Sequence, residues 1–125
     1  MRVRVLTCAV GAMVTMALPA WAHHSHGNYN METYTDLRGT VKEVHWMNPH
    51  SFIYLEVADA KGGDTAVWSL ESQSITQLTR KADFDKDAVK VGDRVTVRCH
   101  ALRDGSNGCL LGTMKVPTGK ELVFD

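Results

Sequence analysis

The stretch Leu37-Arg38-Gly39-Thr40-Val41-Lys42-Glu43-Val44-His45-Trp46 (residues 37–46) decides the fold. Its β-branched and aromatic residues favour a strand, but Val41 and Val44 are three residues apart and break strict alternation. One extra residue would restore the alternation, so the spacing predicts a β-bulge or a strong bend in this strand. Met47-Asn48-Pro49-His50 then interrupts the strand, because Pro49 has no N–H to donate to a central ladder.

Further strands follow this corner. Alternating or β-rich segments cover residues 51–58, 65–70, 94–100, 109–116 and 122–124. Together with the near-100-residue size and the bulged first strand, they predict a mainly β domain over residues 37–125. We expect a small OB-like β-barrel of five to six strands with one short helix. A generic β-sandwich is the alternative.

The single helix is expected between the third and fourth strands, where the period of the pattern changes. Ser72 or Ser74 can cap a short helix that carries Ile75 and Leu78. Arg80-Lys81 suits its end, because basic side chains favour a helix C-terminus. Phe84 is expected to pack under this helix.

The first 22 residues have the features of a secretory signal peptide. Arg2 and Arg4 form a charged start, Val5 to Leu18 form an apolar run, and Ala20-Trp21-Ala22 gives the small-x-small cleavage pattern. The run is shorter than the roughly 20 residues that cross a bilayer, which excludes a membrane anchor. We therefore expect a Sec-type signal, cleavage after Ala22, and a periplasmic or secreted protein with no membrane span after processing.

Residues 23–36 are polar and have neither a helical nor a strand period. This pattern predicts a His-rich N-terminal arm that lies on the domain, with Tyr29 and Tyr34 as anchoring side chains.

Cleavage would leave two cysteines, Cys99 and Cys109, on either side of the turn sequence 103–108. In an exported protein such a pair favours a disulfide. Their alternation patterns put them on different faces of their strands, which a bulge in the Gly-rich turn would reconcile. A thiol metal site that includes His100 is the alternative.

The charge balance argues against a nucleic-acid partner. The whole chain carries 14 basic and 14 acidic residues. Without Arg2 and Arg4, the processed chain would have 12 basic and 14 acidic residues and a net charge of −2 with neutral His. Nucleic-acid binders usually show the opposite imbalance.

Several segments together resemble a known family. They are His23-His24-Ser25, Gly39-Thr40-Val41, Val44-His45-Trp46-Met47-Asn48-Pro49-His50, the segment 92–97 and the turn 104–108. They are similar to a family of small exported bacterial proteins of unknown function with an Ala-His-His-Ser start and a Trp-x-Asn-Pro-His motif. The resemblance implies an exported β-domain and no particular activity. Cys99 and Cys109 depart from the usual pattern of that family, which favours a local cross-link.

The chain has six histidines, and none of them lies in residues 1–22. The processed chain would therefore be rich in histidine, which suggests a metal site. Cleavage after Ala22 would give His23 a free α-amino group beside its own imidazole. These two nitrogens and a second imidazole would form a site that suits Cu(II). The candidate ligands are His23, His24, His26 and His50, with Met47 as a weaker thioether candidate for Cu(I).

Three alternatives remain open for these histidines. A His-rich terminus can be a solvated arm that binds metal only incidentally. Cleavage after Ala20 would place His23 third in the chain, where an amine, two amide nitrogens and an imidazole surround Cu(II) or Ni(II). Asn48-Pro49-His50 can instead serve only to form the strand corner.

No nucleophile elbow, helix-borne His pair or Gly-rich phosphate loop is present in the sequence, so we expect a non-catalytic protein. A copper-dependent, oxidase-like enzyme is a remote alternative. The main alternative to a copper protein is a scaffold module that binds an envelope protein or another ligand. Its candidate binding face consists of Trp46, Tyr54 and Trp68.

Overall fold

The computed structural model describes residues 26–58 and 63–125. Its strands are β1 (Thr35–His45), β2 (His50–Ala58), β3 (Thr65–Gln73), β4 (Arg94–Ala101), β5 (Gly108–Lys115) and β6 (Glu121–Val123). Helix α1 (Ile75–Leu78) follows β3, and 3-10 turns cover His26–Asn28 and Lys86–Ala88. The predicted signal peptide, the predicted cleavage point, His23 and His24 lie outside the described residues.

The strands form a closed barrel with one added strand. Their order is β3-β2-β1-β4-β5-β6, and a short parallel pairing of β3 with β5 closes the first five strands into a barrel. This architecture, with α1 between β3 and β4, confirms the predicted OB-like barrel over the sandwich. Among the described helices, none is long and apolar enough to cross a membrane.

The predicted irregularity in β1 is a β-bulge. Val41 pairs with Leu55 and Glu43 with Tyr54, which leaves Lys42 as the extra residue. The bulge lets β1 curve and pair with β2 and β4, as closure of a small barrel requires. Gly39 lies where both pairings overlap, and a Cβ there would stand 2.4 Å from the carbonyl oxygen of Glu56.

The strand corner is fixed to the start of α1. The Met47 carbonyl accepts a hydrogen bond from the Ile75 N–H at 2.9 Å, and Oδ1 of Asn48 accepts one from the Thr76 N–H at 3.4 Å. Ser74 caps the helix and forms a capping box with Gln77. Residues 47–49 therefore have a structural role at this corner.

Helix α1 is shorter than expected. It ends at Leu78, because Arg80 and Lys81 donate to carbonyls only three residues back, in tighter turns than an α-helix. Phe84 lies edge-on between two aromatic rings, with centroid distances of 5.7 Å to Trp46 and 5.6 Å to Phe124. Both contacts join this segment to the core.

Cys99 and Cys109 form the predicted disulfide. The predicted position of the bulge, in the Gly-rich turn, was wrong. Arg98 pairs with Thr113 but Cys99 pairs with Leu111, so the extra residue is Gly112, inside β5. The two cysteines are therefore brought to one side of the β4–β5 pair by an irregularity within the strands.

Candidate functional site

A cavity of about 330 Å³ lies where the arm, the barrel and the C-terminus meet. Its polar lining includes His26, His50, Glu71, Gln73, Gln77 and His100. Its apolar lining includes Met31, Leu110, Leu111 and Phe124. These residues come from the arm, strands β2 to β5, α1 and the C-terminal residues after β6. The fold thus gathers three histidines at one cavity although they are up to 74 residues apart in the sequence.

The arm is held on the barrel just after His26. Tyr29 is buried and forms a bridge with Leu102. The Asn30 N–H donates to the Ala101 carbonyl at 2.9 Å, and the Nε of Arg103 donates to the Tyr29 carbonyl at 3.1 Å. These contacts fix the point from which the chain runs back toward His26.

His50 stands beside a carboxylate at the edge of the cavity. Its Nδ1 lies 3.4 Å from Oε1 of Glu71, whose side chain is only 12% exposed. The other oxygen of Glu71, Oε2, accepts a hydrogen bond from the Tyr29 hydroxyl at 2.5 Å. Burial, and after it the hydrogen bond to Glu71, raises the pKa of Tyr29 well above its ordinary value of 10.0. The phenol therefore remains a hydrogen-bond donor near neutral pH.

His100 holds the arm in place through its ring. Carbonyl oxygens can only accept, so its Nδ1 donates to the Asn30 and Thr33 carbonyls, at 3.0 and 2.7 Å. The Tyr34 ring covers the imidazole, with 4.3 Å between ring centroids. The thiol metal site proposed as an alternative is not formed, because Cys99 is bonded to Cys109.

The remaining candidate residues are distributed unevenly. His26 is exposed and lines the cavity. His45 contacts Glu43 at 2.8 Å and packs edge-on against Tyr54. Met47 is exposed on the strand corner. Neither His45 nor Met47 lines the cavity. Within residues 26–58 and 63–125, no three His, Cys, Asp or Glu side chains are grouped to hold a metal ion.

The three aromatic residues of the candidate binding face do not share one surface. Trp68 pairs directly with Leu55, which is fully buried, and Trp68 packs against the core. Tyr54 pairs with Ser69 and therefore lies on the other face of the sheet. Trp46 also packs against the core, beside Phe84.

Sequence reasoning missed Glu71 and Met31 as parts of this region, whereas Tyr29 was expected to anchor the arm and is buried on the barrel. Glu71 is a single polar residue in an alternating strand, and the alternation of β3 places it on the outer face. The arm covers that face, however, and no local pattern predicts where an arm lies. The only signal was Tyr29 itself, an aromatic residue in a polar segment.

Strand order, the bulged β1 and the helix between β3 and β4 define the class, a small OB-like barrel protein. A family model described as "Family of unknown function (DUF6152)" matches residues 11–111, and the chain belongs to this family. A search of curated proteins gives no match.

The crystal structure of the mitochondrial single-stranded DNA binding protein Rim1 from S. cerevisiae is similar to this chain. The TM-score is 0.50 and the sequences are 12% identical, over 68% of this chain and 93% of that chain. At this low identity, the likeness shows the fold alone.

Proposed function

We propose that this protein is exported and binds copper, without catalysis, through its processed N-terminal histidine and His50. The observation that carries the proposal is that His26 and His50 line the same cavity. An OB-like barrel fold does not by itself require two histidines at one cavity.

The sequence supports the participation of the residues before His26. His24 and His23 precede His26 by two and three residues. His26 in turn is three residues from Tyr29, which is fixed to the barrel. His26 lines the cavity together with His50, and we propose that the histidines just before it in the sequence take part in the same site.

The chemistry of the available donors favours copper. An α-amine and imidazoles are nitrogen ligands, and Cu(II) binds such sets most tightly among the common divalent ions. Both donor types lose their protons near neutral pH at little cost in free energy. The proposal requires donors from the processed terminus, since the described residues do not form a three-ligand group by themselves.

The disulfide supports export. Disulfides persist in oxidising compartments and are rare in the reducing cytosol. The Cys99–Cys109 bond therefore agrees with the signal-like features of residues 1–22. Export would also free the amine that the site needs, since the precursor has no such amine at His23.

The scaffold alternative has weaker support. Trp46 and Trp68 contribute to the core, so the structure offers no continuous aromatic surface from the three candidate residues. We do not propose DNA binding for this chain, although its structural neighbour is a DNA-binding protein. The processed form would carry a charge of −2, whereas DNA binding depends on basic side chains that neutralise phosphates.

The test is a Cu(II) titration of the protein that begins at His23, followed by visible absorption and electron spin resonance. We expect sub-micromolar binding of one ion and at least a tenfold loss of affinity in His50→Ala. His45→Ala is the matched control, because His45 is also a strand histidine beside a glutamate but does not line the cavity. Equal affinity in His50→Ala and His45→Ala would refute the assignment.

A further inference from the structure

We infer that Glu71 is a positioning residue, which makes Nε2 the metal-binding nitrogen of His50 and is itself held in place by Tyr29. The inference rests on the proposed copper site. It assigns a function to two residues that no motif in the sequence indicates, and it specifies the atom of His50 that binds the ion.

The two oxygens of Glu71 have different neighbours. Oε2 accepts the hydrogen bond from the Tyr29 hydroxyl, and Oε1 lies 3.4 Å from Nδ1 of His50. A carboxylate can only accept hydrogen bonds, so it favours the His50 tautomer that carries its proton on Nδ1. The lone pair of the neutral ring is then on Nε2, on the opposite edge from Glu71.

Such a carboxylate–histidine pair is the usual support of a metal-binding imidazole. The second ring nitrogen of a ligand histidine almost always donates to a carboxylate, a carbonyl or water, which fixes the tautomer and increases the basicity of the ligand. The interaction of the Glu71 carboxylate with His50 is strengthened by burial, because the Glu71 side chain is only 12% exposed. The His50 side chain is 36% exposed. The carboxylate is shielded and the imidazole remains accessible.

Tyr29 connects this pair to the arm. Its hydroxyl restrains Glu71, and its backbone joins the arm to Leu102 and Arg103. The same residue thus fixes the carboxylate beside His50 and the start of the segment that leads to His26. Its removal should weaken the positioning of Glu71 without removing the charge.

The chain contains a matched pair for comparison. Glu43 contacts His45 at 2.8 Å, but through Nε2, and both side chains are about half exposed. This pair has the same residue types, here two residues apart on β1, and does not line the cavity. Glu43→Gln therefore controls for the loss of one carboxylate beside a strand histidine.

The first experiment measures the tautomers of metal-free protein by two-bond ¹H–¹⁵N NMR of the histidine rings at pH 8. We expect the Nδ1–H form for His50 in the wild type and a shift toward the Nε2–H form in Glu71→Gln, with Tyr29→Phe in between. Glu43→Gln should leave the His50 signals unchanged. An Nε2–H tautomer in the wild type, or an unchanged tautomer in Glu71→Gln, would overturn the inference.

The second experiment is the Cu(II) titration of the same variants, all beginning at His23. Loss of such a partner typically costs about 10–100-fold in metal affinity, which we expect for Glu71→Gln, with a smaller loss for Tyr29→Phe and none for Glu43→Gln. Unchanged affinity in Glu71→Gln would contradict the inference and leave the copper site intact. A wild-type protein that does not bind copper would instead refute the proposed function, and the tautomer data would still decide whether Glu71 orients His50.

Thermal unfolding of each variant controls for folding. Glutamine and phenylalanine preserve the shapes of the replaced side chains, so the folded variants can be compared directly. In a variant that remains folded, reduced stability does not change the His50 tautomer, so a tautomer shift reports the loss of the Glu71 contact.

Discussion

The Tyr29 hydroxyl donates a hydrogen bond to Oε2 of Glu71 across 42 residues of sequence. This contact joins the N-terminal arm to β3 at the cavity that His26 and His50 line. It makes the position of the arm from His26 onward a property of the folded barrel.

The Tyr29–Glu71 contact predicts a loss of stability at alkaline pH. Because the pKa of Tyr29 is raised in the folded state, the native protein keeps a proton that the unfolded chain releases above about pH 10. The stabilisation is therefore fully present below pH 10 and is lost as the pH rises further. At pH 7, the free energy of unfolding of Tyr29→Phe should be about 1.5 kcal/mol lower than that of the wild type. Between about pH 9.5 and 11, the free energy of unfolding should decline less steeply in Tyr29→Phe than in the wild type.

Urea unfolding of both proteins at several pH values checks this prediction, and the difference between them removes the contribution of other titrating groups. Parallel curves for the wild type and Tyr29→Phe would contradict it.

The disulfide should stabilise both the barrel and the docked arm. Cys99 and Cys109 close a short loop, which constrains the unfolded chain, and Ala101, Leu102 and Arg103 beside them hold the arm. We expect the double variant Cys99→Ser/Cys109→Ser to lose about 2–3 kcal/mol in the free energy of unfolding. Hydrogen exchange should also show faster exchange of the Asn30 amide, and an unchanged urea midpoint would disprove the prediction.

Gly39 should not tolerate a side chain. A Cβ at this position would stand 2.4 Å from the Glu56 carbonyl oxygen and 2.8 Å from Cγ of Leu55, so the β1–β2 pair would have to separate. We expect Gly39→Ala to cost about 2–3 kcal/mol in the free energy of unfolding.

Gly27→Ala is the control for this substitution, because a Cβ there meets nothing within 4 Å. Its effect should stay within about 0.5 kcal/mol. Similar unfolding midpoints for the two variants would show that the close approach at Gly39 is unimportant.

Met31, rather than Met47, should influence the binding of Cu(I). The Met31 side chain lines the cavity, whereas Met47 lies on the corner outside its lining. Thioethers are soft ligands that favour Cu(I). We expect Met31→Leu to lower the Cu(I) affinity on the order of tenfold, or about 1.4 kcal/mol, and Met47→Leu to leave it unchanged. Competition with a chromogenic Cu(I) chelator measures both, and the reverse order of effects would contradict the prediction.

The sequence was most informative where the structure depends on local contacts. The spacing of Val41 and Val44 predicted a bulge or strong bend in β1, and the structure has the bulge at Lys42. Ser74, one of the two predicted caps, begins the helix. Both effects act within a few residues. Helix length was less predictable, since the tight turns after Leu78 have no distinct signal.

Long-range pairing set the limit of prediction. The bulge that aligns the cysteines lies at Gly112, where β4 and β5 pair, and not in the turn where the glycines cluster. The same limit applies to the candidate site. His26 and His50 could be named from the sequence. Glu71 lies beside His50 through the long-range pairing of β2 with β3, and the arm adds His26 and Tyr29 on the same face.

The most direct test of the copper site compares the protein that begins at His23 with the same protein acetylated at its α-amino group. In Cu(II) titrations followed by electron spin resonance, the free amine should give one nitrogen-rich site of sub-micromolar affinity. Acetylation should weaken that site by at least tenfold, as His50→Ala should. Identical spectra and affinities for the free and the acetylated protein would contradict the proposal that processing creates the site.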